Sequence, residues 1–300
     1  MMNVKLNESL SMSKIVHGYW RLDQWNLSKE ELLKLIEEVV SLGITTMDHA
    51  DIYGAFTCEE KFGEALSLKP SLRKEIQLVT KCGIVFPCEK RPNYKAHIYN
   101  TSSSHIINSV NNSLKNFNTD YIDLLLIHRP DPLMDPSEVS EAFTKLKKDG
   151  KVLNFGVSNF LPSQFNLLSS YLDFPLVTNQ IEASILNLEQ FKNGTIDLML
   201  EKRISPMVWS PLAGGTLFTN EDTKTLNIRK VLEKVKWETS ASSIDEIAYA
   251  WLLNHPAKMI PIVGSSNLNR IHSAVNATKI KLTKEQWFEI YVASLGHDIP

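Results

Sequence analysis

Eight short apolar runs recur along this chain, each turning polar near its C-terminal end and each followed by a stretch with helical spacing. The second run shows the pattern most sharply. Ile44-Thr45-Thr46-Met47 is apolar and β-branched, turns polar at Asp48, and continues through His49, Ala50, Asp51 and Ile52 to Tyr53 and Gly54. Strands that are apolar throughout belong to a sheet covered on both faces, and parallel strands joined by helices provide that cover. Eight such units close into a barrel, for which about 250 residues is ordinary. An open doubly wound sheet is the competing arrangement, but the GxGxxG turn that usually follows its first strand is absent.

The strand readings, in order, are Ser13 to Tyr19, Ile44 to Asp48, Ile76 to Lys81, Tyr121 to His128, Val152 to Val157, Leu176 to Gln180, Pro206 to Ser210 and Met259 to Val263. Helical spacing covers Ser28 to Leu42, where a Ser N-cap with Glu31 three residues on makes a capping box and Gly43 ends the helix. Further helices are expected at Cys58 to Leu68, Ser104 to Phe117, Ser137 to Lys148, Pro162 to Tyr171 and around Leu188 to Lys202. Others follow at Lys224 to Glu238, Ser243 to Leu253 and Leu268 to Ala277. Lys284 to Ala293 is an additional C-terminal helix with a short polar tail. Phe86 to Ser102 is long for a connector and reads as a floppy insertion or a lid. Without repeats beyond the unit itself, residues 1–300 read as one domain.

Thirty-two Lys and Arg against 34 Asp and Glu give a net charge of -2, with no Lys/Arg block longer than a pair. Nucleic acid and acidic membrane surfaces are therefore poor partners. Cys58, Cys82 and Cys88 are odd in number and lack CxxC spacing, which argues against a disulfide framework and a zinc site and for reduced thiols. No apolar run approaches the ~20 residues that span a bilayer. A protein of the cytoplasm is expected.

In a parallel barrel all strand C-termini lie on one rim, so Asp48, Lys81 and His128, at the ends of the second, third and fourth strands, become neighbours there. Tyr53, on the loop after the second strand, leans over the same spot. A phenol with a pKa of ~10 needs its environment to make it a proton donor or acceptor. A nearby ammonium is expected to lower it, and Asp48 to keep that ammonium charged and oriented. A neutral His128 adds a hydrogen bond to a substrate oxygen without a second full charge, which suits a carbonyl being reduced. No metal is implied, since HExxH and zinc-ligand spacings are both missing.

These residues carry a resemblance to the aldo-keto reductases that runs from the first strand to about Ala277. Asp48-His49-Ala50-Asp51-Ile52-Tyr53-Gly54 resembles that family's DxAxxYG motif, followed by Lys81 in Val79-Thr80-Lys81-Cys82-Gly83 and His128 in Leu126-Ile127-His128-Arg129-Pro130. Gly156-Val157-Ser158-Asn159-Phe160, Asn179-Gln180-Ile181-Glu182 and Trp209-Ser210-Pro211-Leu212-Ala213-Gly214-Gly215 follow in the family's order. The resemblance implies an NAD(P)H-dependent carbonyl reductase on a (β/α)8 barrel, with Tyr53 as proton donor supported by Asp48, Lys81 and His128.

Carried over by position, Ser158, Asn159 and Gln180 would hydrogen-bond the nicotinamide carboxamide, with Asp48 beside them, and Trp209 would stack on the ring where many members have Tyr. Gly18, Tyr19 and Trp20 match the loop that backs the nicotinamide, while Ser210, Pro211, Leu212 and Gly214 would line the pyrophosphate. Gly264, Ser265 and Arg270 align with the region that holds the adenosine 2'-phosphate, which favours NADPH. Some members have Lys where Gly264 stands, so NADH stays in play. The adenine-facing Glu-Asn of many relatives is replaced by Ser273 and Ala274. The expected partner is a small-molecule carbonyl substrate in a pocket of Trp20, Tyr53, His128, the 86–102 connector and the tail around Leu295 to Asp298; Arg21 and Arg129 are the candidate contacts for a charged one. Two other readings compete: a barrel lyase using Lys81 as a Schiff base, and a non-catalytic sensor of nicotinamide redox state.

Overall fold

The structure, a computed structural model, describes residues 3–300. Eight parallel strands form a closed barrel in chain order: β1 (Val16–Gly18), β2 (Thr46–Asp48), β3 (Gln77–Cys82), β4 (Ile122–Ile127), β5 (Val152–Ser158), β6 (Asn179–Glu182), β7 (Met207–Trp209) and β8 (Ile260–Val263), with β8 pairing back to β1. Closure excludes the open sheet. Side chains alternate across each strand, so one set fills the barrel and the other packs under the helices. The interior set includes Val16, Val79, Leu124, Leu126, Met207 and Ile260. Three further clusters lie between strands and helices, built around residues such as Phe62 and Ile36, Phe143 and Phe155, and Trp251 and Leu232.

The run from Ser13 to Tyr19 divides in two. Ser13 belongs to a small antiparallel hairpin, Asn3–Lys5 with Ser11–Ser13, and the barrel strand starts at Val16. The break has a local cause. The Ser13 hydroxyl donates to the Ile15 carbonyl at 2.6 Å and accepts from the Thr45 and Thr46 amides at 3.2 and 3.1 Å, which bends the chain between the two strands. This hairpin closes the N-terminal end of the barrel, with Leu10 and Met12 buried inside it. Asn7 donates to Asn154 at 2.7 Å, and Asn154 in turn donates to the Asp123 carbonyl at 3.1 Å, so the polar atoms beside the plug are paired.

Two other readings shift. The helix expected around Leu188 to Lys202 is two, Glu189–Lys192 and Thr195–Glu201, because Gly194 takes a φ of +81° and Asn193 accepts from the Thr195 amide at 3.0 Å. Within the 86–102 connector, Ile98–Tyr99 pairs antiparallel with Ile84–Val85. Phe86 packs on Phe56 at 5.4 Å and on His97 at 5.8 Å, while the Arg91 guanidinium lies 5.0 Å from the Phe56 ring centroid. The connector is therefore folded onto the loop that carries Tyr53. Among the described residues no helix is long and apolar enough to cross a membrane.

The helices Cys58–Ser67 and Ser103–Phe117 meet at Gly63, where an added Cβ would sit 1.9 Å from the Asn116 carbonyl oxygen. Gly63→Ala should therefore lower the unfolding free energy by about 1–3 kcal/mol despite alanine's better helix propensity. Denaturant midpoints of the two proteins measure it; an unchanged or raised midpoint would mean that the helices separate freely.

Candidate active site

Asp48 ends β2, Lys81 lies one residue from the end of β3, and His128 directly follows β4. Register brings them together. Asp48 pairs with Val79 and Lys81 with Leu126, and the His128 amide donates to the Cys82 carbonyl at 2.9 Å. Because alternate residues share a face, Lys81 stands above the interior residue Val79, and His128 above Leu126.

The Lys81 ammonium is almost wholly buried and spends its three protons on a closed set of acceptors. It lies 2.9 and 2.8 Å from the two Asp48 carboxylate oxygens, 2.7 Å from the His49 carbonyl and 3.1 Å from the Tyr53 hydroxyl oxygen. A protonated amine has no lone pair, so the Tyr53 oxygen accepts this bond and its own proton is left to point elsewhere. Gln180 donates to Asp48 Oδ1 at 2.7 Å, a link between two sets of candidate residues that spacing does not reveal. The His49 carbonyl was equally invisible, because backbone acceptors leave no mark in residue identity.

Burial alone would discharge Lys81, but Asp48 and Tyr53 more than offset it and hold its pKa above the usual 10.5. Tyr53 moves against the expectation stated above. Burial raises its pKa above 10.0, and the opposing pull of Lys81 is smaller, so the phenol keeps its proton. Burial, then the charges of Lys81 and Arg129, push His128 well below 6.5, leaving a neutral imidazole. Its ring lies 6.0 Å from that of Tyr53 at 76°, and among the described residues its Nδ1 has no hydrogen-bond partner.

Round the same rim, Ser158 donates to the Gln180 carbonyl at 2.9 Å, and Asn159 donates to Ser158 Oγ at 2.8 Å. Asn159 Oδ1 accepts from the Trp209 indole at 2.9 Å. The Trp209 ring, half-buried, carries the Arg129 guanidinium 5.4 Å from its centroid. Past Trp209 the chain enters the left-handed region at Ser210, Ala213, Gly214 and Gly215, and a Cβ at either glycine would meet nothing within 4 Å. Pro211 and Leu212 lie within this turn, and Arg21 donates to the Gly214 carbonyl at 3.3 Å.

At the end of β8, Gly264 faces the Gly18 carbonyl, and His17 donates through Nε2 to the Ser265 carbonyl at 2.9 Å. Arg270 is exposed in the first turn of the helix Leu268–Ala277, which Asn267 caps. Tyr19 is placed differently from its neighbours. Its ring is fully buried, stacked on His49 at 4.5 Å, with its hydroxyl 3.4 Å from Met47 Sδ, so only its backbone is available at the rim. Trp20, by contrast, is 61% exposed. Paired amide side chains, one aromatic face, open space beside two glycines and an unpaired exposed guanidinium are a set that fits a dinucleotide.

Behind Lys81 lie two buried carboxyls that the sequence reading did not use. Glu59 accepts from Thr80, Ser113 and Asn116, while Asp51 accepts from Ser109 at 2.6 Å and its Oδ1 has no partner among the described residues. Burial, reinforced by Glu59, raises Asp51 from 3.8 to about 8. Between those values the folded chain holds a proton that the unfolded chain releases, so stability falls as pH rises through that window. Asp51→Asn should remove the dependence: about neutral at pH 5, it should gain roughly 4 kcal/mol over the parent by pH 9. Urea unfolding across pH reads this directly, and parallel pH profiles for the two proteins would contradict it.

An aldo/keto reductase family model matches residues 14–293. The chain is 56% identical to the oxidoreductase YcsN of Bacillus subtilis over 100% of both chains. It is 49% identical to the oxidoreductase YdhF of Escherichia coli, over 96% of this chain and 95% of that one. It is 43% identical to a 6-dehydroglucose reductase of Agrobacterium fabrum over 100% of both. The barrel superposes on a glycerol dehydrogenase of Gluconobacter oxydans with a TM-score of 0.86 at 23% identity, covering 100% of this chain and 98% of the other. That last likeness speaks for the fold. With similarity of this extent along the whole sequence, the chain belongs to the aldo/keto reductase family of oxidoreductases.

Proposed function

We propose that this protein reduces an aldehyde or ketone to an alcohol, with NADPH as the preferred reductant and Tyr53 as the proton donor. One observation carries the reading: the Lys81 ammonium bridges the Asp48 carboxylate and the Tyr53 hydroxyl oxygen inside a buried site. When bound, the reduced nicotinamide supplies the hydride. The protein's part is to orient the carbonyl and move one proton. Tyr53 Oη, fixed by its bond from Lys81, presents its O–H to the substrate oxygen, while neutral His128 offers a second hydrogen bond. As the proton leaves, the adjacent ammonium stabilises the forming phenolate, so Lys81 acts most strongly when charge develops. Asp48 keeps that ammonium charged. The same commitment of all three Lys81 protons makes it a poor Schiff-base nucleophile, which weighs against the lyase.

Ser158, Asn159 and Gln180 would hold the carboxamide, with the uncovered face of Trp209 against the ring. The turn from Ser210 to Gly214 would take the pyrophosphate, and Ser265 with Arg270 the 2'-phosphate. Among carbonyl substrates, 6-dehydroglucose is the first to test, since it is named for the Agrobacterium relative.

Tyr53→Phe should cut turnover by about 10²–10⁴-fold while leaving cofactor affinity within about twofold. Stopped-flow reduction with fluorescence titration of the cofactor separates the two quantities, and near-parental turnover would remove Tyr53 from the donor's role. Arg270→Ala should weaken NADPH by roughly 10–100-fold and NADH by less than about threefold, a loss matching one charge-assisted pair. Equal losses for both cofactors would place the phosphate contact elsewhere.

A further inference from the structure

At the opposite end of the barrel from Tyr53, a groove of about 670 Å³ opens between the N-terminal hairpin and the turns that lead into β7 and β8. Its lining contains five cationic side chains, Lys5, Lys14, Arg203, Lys258 and Lys281, and no carboxylate. That is a concentrated positive field on a chain whose net charge is -2. Among the described residues none of the five is in an ion pair or a side-chain hydrogen bond, whereas the buried cations Lys81 and Arg73 are each matched to an aspartate. The lining also contains apolar residues, Ile204, Met259 and Ile280 among them.

Two of the five cations stand in the tight turns that lead into barrel strands. Arg203 and Lys258 both sit in the left-handed region, at φ +56° and +52°, in the turns just before β7 and β8. Glycine or asparagine takes that conformation at lower cost, yet both turns carry a long cation whose side chain lines the groove. At Arg203 the left-handed backbone also ends the helix Thr195–Glu201, with Ile204 donating back to the Met199 carbonyl at 2.8 Å.

We propose that this groove is a second binding site, for a small phosphorylated molecule with a compact organic body. Clustered ammonium groups with one guanidinium recognise phosphate oxygens, the guanidinium in bidentate fashion. The apolar lining residues accommodate the body, and the volume lies in the range of small-molecule sites. Because the groove lies at the far end of the barrel, its ligand leaves the Tyr53 rim open.

The test uses the full-length protein and inorganic tripolyphosphate, titrated by calorimetry in the presence and absence of saturating NADPH. Saturable one-to-one binding that NADPH leaves unchanged is expected. The double variant Arg203→Asn, Lys258→Asn should weaken it roughly tenfold or more, since it removes two of the five cations. Asparagine tolerates the left-handed backbone, so this variant should keep the parental melting temperature and turnover. Absence of saturable heat, equal affinity in the double variant, or displacement by NADPH would each overturn the proposal, the last by assigning the phosphate to the cofactor rim.

Discussion

A buried ammonium is the constraint on which the rest of this rim depends. Stripped of water, the Lys81 charge is tolerable only with a full set of acceptors, and the barrel supplies them from three places: the end of β2, the backbone just beyond it and the loop that returns with Tyr53. Meeting that requirement aligns everything nearby. Asp48 is turned inward onto Lys81, Gln180 satisfies its other side, and the phenol is drawn to a defined point above the barrel. The reactive geometry is thus the solution to a solvation problem.

That point also explains why the phenol stays neutral in the resting protein. Burial penalises phenolate more than one neighbouring cation relieves it, so Tyr53 holds its proton. In the proposed reaction, a donor that gave up its proton beforehand would have nothing to deliver. His128 is neutral for a related reason, because a second buried cation beside Lys81 would be costly.

Much of this was readable in the sequence. Apolar strands ending on Asp48, Lys81 and His128 specified a barrel rim, because strand ends, periodicity and the eight-fold repeat are written in residue type. Other features were not, and each for a physical reason. The separation of the N-terminal hairpin from β1 turns on hydrogen bonds made by one serine hydroxyl, Ser13. The His49 carbonyl that completes the Lys81 shell is backbone, common to every residue. Tyr19 reads as a rim residue from its place beside Gly18, but its ring rotates into the layer under the helices to stack on His49. The groove of cations is assembled from segments as far apart as Lys5 and Lys281, so no local charge run announces it.

The N-terminal hairpin has a consequence for how this barrel can be handled. Leu10 and Met12 are core residues of the barrel interior although they precede its first strand, and Asn7 is tied across to Asn154 in β5. Residues 3–13 therefore form the floor of the barrel. A permuted or fused version of this fold would have to keep that floor continuous with Val16, while new termini are better placed at exposed connections between the outer helices.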